Sequence, residues 1–432
     1  MRCAGFSLGN AFFFLIILQA GVLSMPNTSF SRVNLQEIVR TPRSLSGQYI
    51  KDGLLEDLEI KNALVTGLRM QNVKFLKSSF ENITFEDCIF EKVNFARTNF
   101  TNVLFKNCVF KEYGKRSDPD NLTQITGTAR DVMFQACELR NIDFSFSDAS
   151  SGYLLFKDIS KASSVEVNGP FIFSGGAHIR IDNCSIQSGI IGDDDAASAM
   201  VRNSTFANAS VYADKTFISG SKFSNGSNPG GMLLVIINSE LTGGNLHIGG
   251  TAYVLNNDYK YTEKKTPYGD FLAGVGIKTL KPENKVYITG KPGEHSLRII
   301  SGDVEVRNIT LVRPIISQLN NSAPLTALNL KDVTLQGAYW GALTLLGGKW
   351  ENVRIEPPVE VKRTTIQNVQ AYRLEYPKGL PFTDKSQIRM EVKEVNQPFD
   401  WPEIVAPTPE EHGLTWWPEV EPGYRPDHVS RQ

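Results

Sequence analysis

Apolar residues recur at every fifth position from Leu55 to Phe110: Leu55, Ile60, Val65, Met70, Phe75, Phe80, Phe85, Phe90, Phe95, Phe100, Phe105 and Phe110. A period of five fits neither a helix nor a flat strand, so it reports a repeat. With 41% apolar residues overall, chance would place twelve in one register at roughly two in 10^5. Two places before each centre stand Gly53, Leu58, Ala63, Leu68, Val73, Ser78, Ile83, Cys88, Val93, Thr98, Val103 and Cys108, nearly all small or aliphatic. The positions between these pairs are mostly Lys, Glu, Asp, Asn, Arg and Thr.

Each unit therefore reads small-x-large-x-x. The first and third positions point the same way, as on a strand, and the last two must turn the chain. Four such units with right-angle corners close a square coil of twenty residues. The next coil stacks at about 4.8 Å, large residue over large and small over small.

Residues 53–112 resemble the pentapeptide-repeat family in this spacing. The letters depart from it, because Val, Ile, Cys, Ser and Thr replace the family's preferred Ala and Asp or Asn before the centre. The resemblance implies an all-β, right-handed parallel β-helix of quadrilateral section. It implies no single activity, since members range from nucleic-acid mimics that inhibit enzymes to scaffolds.

The pattern continues beyond this tract. Residues 111–130 break the period and read as a loop, after which Phe134, Leu139 and Phe144 resume it. From 165 to 254 the pairs are looser but recurrent: Ile181 with Ile179, Ile186 with Cys184, Phe206 with Ser204, Phe223 with Ser221, Ile236 with Leu234, Leu241 with Ser239. Residues 256–296 are polar and irregular and read as a protruding insertion. A second regular tract follows over 321–356, with Leu325, Leu330, Leu335, Trp340, Leu345, Trp350 and Ile355. Two regular tracts around a looser middle predict one solenoid over 51–375, a rod on the order of 70 Å long.

From 376 to 432 the composition changes to Pro with Trp401, Trp416, Trp417 and Tyr424. Prolines at this density exclude ladder pairing. Two readings stand: a cap over the last coil, which solenoids need, or a tail presenting aromatic anchors to a partner. Parallel coils end in open edges, so two rods could pair end to end unless the tail covers them.

The N-terminus carries Arg2, an apolar run from Ala11 to Val22, then Ser24-Met25-Pro26. So short a run reads as a secretory signal over residues 1–24, with an uncleaved anchor as the alternative and 25–50 as a linker. The expected location is outside the cytoplasm: secreted, cell-surface or periplasmic, with no membrane span once the signal is removed.

Asn-x-Ser/Thr sites stand at Asn27, Asn82, Asn99, Asn121, Asn183, Asn203, Asn208, Asn225, Asn308 and Asn320. Composition alone would give about four. They make the chain a glycoprotein if its source is a eukaryote, while β-helix corners favour Asn in any case. Past the signal, Cys88, Cys108, Cys137 and Cys184 remain. Cys88 and Cys108 are one coil apart at inward positions, where in-register neighbours fit disulfide torsions poorly. The preferred reading is a buried small hydrophobe, with a disulfide in an oxidising compartment as the alternative.

Candidate chemistry is sparse. Asp193, Asp194 and Asp195 follow Gly192, and the fragment resembles the Gly-Asp-Asp motif of the polygalacturonase family over about ten residues. Clustered carboxylates could serve as acid and base on a polysaccharide. That family's Asn-Thr-Asp, Gly-His-Gly and Arg-Ile-Lys are absent, and a solvated polar corner is the preferred account. The five histidines are dispersed with no metal-ligand spacing, so no metal and no cofactor is expected. With 45 basic and 46 acidic residues the net charge is −1, which argues against nucleic acid as partner. The expectation is a non-enzymatic, exported structural and interaction protein that engages a protein or a glycan. The alternative is a carbohydrate-active hydrolase, lyase or lectin.

Overall fold

The computed structural model describes residues 45–112, 123–148, 152–166, 178–192, 196–224, 226–266, 269–318, 324–378, 388–418 and 420–424. Among them the chain forms one parallel ladder of 29 strands with a separate two-stranded hairpin. Tyr49–Glu56 pairs with Arg69–Leu76, and Glu59–Thr66 with Ser79–Glu86, each with a register of twenty residues. All twelve repeat centres are buried, none more than 2% exposed.

The phenylalanines stack coil on coil. Phe75 lies over Phe95 with ring centroids 4.9 Å apart, Phe80 over Phe100 at 5.4 Å, Phe85 over Phe105 at 5.1 Å and Phe90 over Phe110 at 4.8 Å. Within a coil, adjacent sides meet edge to face, as Phe75 meets Phe80 at 75°. Four large rings fill the bore, which is why the position two before each centre must be small or aliphatic.

One column runs through the whole rod. Val65 pairs with Phe85 and Phe85 with Phe105, and the series continues through Phe134, Phe156, Ile181, Val201, Ile218, Ile236, Val254, Ile288, Val306, Leu330, Trp350 and Ala371. At about 4.8 Å per step this column is about 67 Å long. Coil length varies along it, from the 17 residues separating Val201 and Ile218 to the 34 separating Val254 and Ile288. Excursions at the corners absorb the difference.

The corners have a fixed chemistry. From Asp52 to Asn107 a residue at positive φ recurs at every fifth place, two after each centre. Nine of these twelve are Asn, Asp or Gly, the residues that enter the left-handed region most readily. Lys77, Lys92 and Arg97 hold the other three. The small position serves the corner too. Cys88, Cys108, Cys137 and Cys184 each donate Sγ–H to the carbonyl two residues back at 3.2–3.4 Å. Further along the same column Ser204, Ser221 and Ser239 do so at 2.7–2.9 Å. All four cysteines are buried free thiols.

Five boundaries differ from the sequence reading. Among the described residues the ladder begins at Tyr49, and Leu45 and Ile50 are already in the core, inside the segment read as a linker over 25–50. The ladder resumes at Thr123, so residues 123–130 belong to a coil. Most of 256–296 is also ladder: Val275–Thr279 and Lys285–Gly290 pair in register, and only the hairpin Thr262–Thr266 with Gly269–Ala273 leaves the rod. Ile388–Glu394 pairs with the strand Glu360–Glu375, which carries the ladder past residue 376. Finally, Ile388–Glu394 lies on the last coil, but the tail from Phe399 onward does not stay there. It turns back along the flank.

Candidate functional site

On one side of the rod the outward residue of each strand forms its own column: Leu104, Met133, Leu155, Arg180, Met200, Phe217, Val235, Tyr253 and Tyr287. Elsewhere in the repeat this place is mixed, with Lys74, Thr84 and Asn94 beside Leu54, Leu64 and Ile89. Here it is largely apolar, and Met133, Leu155, Arg180, Met200, Phe217 and Val235 are all buried. The C-terminal segment covers them.

That segment is a strap running against the direction in which the coils are laid down. It starts at Glu351, whose Oε2 accepts the Phe399 N–H at 2.7 Å and the Trp401 Nε1–H at 3.1 Å. Midway, Leu414 packs on Met200, Phe217 and Val235, with Ala406 and Trp416 alongside. Arg180 donates from Nε to the Thr415 carbonyl at 2.8 Å, and from Nη1 to Ile179 O at 2.9 Å and Ser198 Oγ at 3.0 Å. Burial lowers the pKa of this guanidinium to about 10. Lys157 lies 5.5 Å from the centre of the Trp417 ring and pairs with Glu421 at 3.0 Å.

The strap ends where Gly423 N–H meets Asn102 Oδ1 at 2.9 Å and Thr84 Oγ1–H meets Tyr424 O at 3.1 Å. Gly423 has φ +112°, and a Cβ there would lie 2.6 Å from Leu104 Cβ and 2.7 Å from Thr84 Oγ1. Only glycine fits this seat. Between the coils of Glu351 and Thr84 the ladder spans about 58 Å. Some 25 residues held extended by their prolines can reach that far.

A groove of about 270 Å³ opens where the strap leaves the last coils, lined by Lys285, Tyr287, Asp303, Glu305, Asn329, Lys349, Asp400, Trp401 and Pro402. Successive coils supply its floor. Tyr287 pairs with Glu305 and Glu305 with Asn329, beside Lys285 paired with Asp303. Asn329 Nδ2 donates to Asp303 Oδ1 at 3.1 Å, while Asn329 Oδ1 accepts the Lys349 N–H at 3.0 Å. Burial raises the Asp303 carboxyl pKa, against the pull of Lys285. Glu305 accepts the Arg307 Nε–H at 2.5 Å. The Tyr287 ring stacks on Tyr253 at 5.2 Å. Trp401 forms the wall, with Arg307 5.0 Å and Lys331 5.9 Å from its ring centre.

The residues singled out from the sequence fall in three places. Asp193, Asp194 and Asp195 lie outside the described residues, as do the signal segment and Asn27, Asn121, Asn225 and Asn320. Trp401, Trp416, Trp417 and Tyr424 lie on the strap and are half-buried against the rod, so they anchor the chain's own tail. Asn82, Asn183, Asn203, Asn208 and Asn308 all sit at left-handed corners, whereas Asn99 does not. Asn82 Nδ2 donates to Asn62 Oδ1 at 2.6 Å, and Asn183 Nδ2 to Asp158 Oδ1 at 2.8 Å. These amides join corners of adjacent coils. Among the described residues no cluster of His, Cys, Asp and Glu could hold a metal ion.

The sequence reading missed the groove and the column beneath the strap. Its signal was the residue just before the centre, apolar or aromatic in nearly every coil of that one column from Leu104 to Tyr287.

The model of pentapeptide repeats matches residues 69–111, in eight copies. No curated protein matches the chain. Among solved structures, the chain is similar to the catalytic unit of a thermostable GH87 α-1,3-glucanase from Streptomyces thermodiastaticus strain HF3-3. The identity is 13%, with 87% of this chain and 68% of that chain covered, at a TM-score of 0.19. The chain is a parallel β-solenoid that carries pentapeptide repeats over residues 69–111.

Proposed function

We propose that this chain is a secreted or surface-exposed structural and interaction protein, with no catalytic step of its own. The unbroken column from Val65 to Ala371 carries the reading. It makes a rod whose shape depends on coil-to-coil packing alone, and the strap ties distant coils together along the flank. Such a body holds surface residues at fixed separations of many nanometres, which suits display and recognition. The apolar run from Ala11 to Val22 supports export. The partner engages the outer side chains of the rod, since Trp416, Trp417 and Tyr424 are half-buried against the chain itself.

The test is expression of the full chain with a C-terminal epitope in its native setting. Processed protein outside the cytoplasm, and an elongated particle in small-angle scattering, are expected. Retention in the cytoplasm with an intact N-terminus would overturn the export reading. Release of reducing ends from any polysaccharide, abolished by Asp194→Asn, would overturn the non-enzymatic one.

A further inference from the structure

We infer that the groove between strap and rod binds a neutral sugar unit of a glycan. This rests on the interaction reading above and names the partner's chemistry.

Four observations on the lining point there. First, both sides are held in place before any ligand arrives. The floor is β-ladder, and the wall is fixed by the paired bonds of Glu351 to Phe399 and Trp401. A preformed site avoids the ordering cost that weakens sugar binding in water. Second, the volume of about 270 Å³ lies near the lower end for small-molecule sites, the scale of one or two sugar rings. Third, Tyr287 offers an aromatic surface steadied by its stack on Tyr253. Sugar rings present C–H faces that pack on such surfaces.

Fourth, the polar groups alternate in kind. Asp303, Glu305 and Asp400 accept, while Lys285 and Lys349 donate. Each sugar hydroxyl both gives and takes a hydrogen bond, so a lining of mixed sign suits it. Asn329 uses its Nδ2 on Asp303 Oδ1 and its Oδ1 on the Lys349 backbone N–H, which steadies the floor of the groove. Glu305 is paired with Arg307, and Arg307 and Lys331 flank the Trp401 wall, so the charges around the groove nearly balance, which suits an uncharged ligand. The two ammoniums in turn oppose a bare metal ion.

The experiment uses the full chain on an array of neutral, sulfated and uronate-containing glycans, followed by calorimetric titration with neutral oligosaccharides of three to six units. Saturable binding of a neutral oligosaccharide is expected. It should weaken about tenfold or more in Tyr287→Ala and in the near-isosteric Asp303→Asn, with melting temperatures unchanged. Asp194→Asn should bind as the parent does. Three outcomes each overturn the proposal: no saturable binding up to about 10 mM, binding of acidic glycans only, or neutral binding that both groove variants leave intact. If the chain is exported and elongated yet fails in one of these ways, the groove assignment falls and the interaction reading stands. Should export itself fail, the array result still decides the groove.

Discussion

Glu351, on one of the last coils, accepts the indole N–H of Trp401 at 3.1 Å and so fastens the strap near its start. The same carboxylate oxygen takes the Phe399 N–H at 2.7 Å. Glu351 is itself buried, so both bonds are made away from water, where a carboxylate needs such partners. The strap is therefore part of the folded body.

Removing residues 395–432 should uncover Met133, Leu155, Met200, Phe217 and Val235. Each buried side chain of this size contributes about 1.5–3 kcal/mol. Arg180 would also lose its Thr415 acceptor. The expected outcome is a lower melting temperature and strong binding of an apolar dye. Gly423→Ala should reproduce a smaller part of this, by lifting the strap from Leu104 and Thr84. A truncated chain that melts with the parent and binds no dye would show that the strap covers nothing of consequence.

Phe105 lies between Phe85 at 5.1 Å and Phe134 at 5.0 Å. Phe105→Ala would leave a void open on both stacked faces, at a cost of about 3–5 kcal/mol. Phe105→Leu should cost much less, since a Leu centre serves the same bore at Leu330 and Leu335. Chemical denaturation of the three proteins checks this. Equal midpoints for the alanine variant and the parent would remove the ring stack from any role in stability.

The Phe columns were legible because one rule repeats without a break: inward residues every five places, small before large. The strap was not legible. Nothing local to Leu414 says that it will meet Met200 and Phe217, some two hundred residues earlier, and Pro-rich sequence specifies extension without destination. The groove is harder still, since Tyr287, Asp303, Asn329 and Trp401 come from four separate passes of the chain. The corners were half legible. Asn and Asp stood out as turn formers, but five of the six described sequons proved to be corner residues with positive φ.

Glu91 links stability to pH. Burial raises its carboxyl pKa, but the ammonium of Lys111 and the guanidinium of Arg69 more than reverse this, so it lies below the ordinary value. Gln71 Nε2 adds a bond at 3.0 Å. A group whose folded pKa is depressed stabilises the fold above its unfolded pKa, about 4.3 for Glu. That contribution is lost as pH falls through the folded value. Melting temperatures from pH 7 down to pH 3 should fall more steeply for the parent than for Glu91→Gln. Parallel curves would mean that Glu91 titrates alike in both states.

Asn82 sits at a left-handed corner with φ 55° and gives its Nδ2 to Asn62 Oδ1 at 2.6 Å. Its own Oδ1 accepts Asn102 Nδ2 at 2.9 Å, and Asn102 Oδ1 in turn receives Gly423 N–H from the strap. Two substitutions separate the backbone from the ladder. Asn82→Gly keeps the corner conformation and loses both side-chain bonds. Asn82→Ala loses the bonds and must also hold a Cβ residue in the left-handed region, which costs about 1 kcal/mol more. Lys77, Lys92 and Ala136 occupy equivalent corners, so the alanine variant should still fold. The expected order of stability is parent, then Asn82→Gly, then Asn82→Ala, read from urea midpoints. If Asn82→Ala were the more stable of the two variants, conformational freedom lost from the unfolded chain would outweigh corner strain, and Asn would be there for the ladder alone.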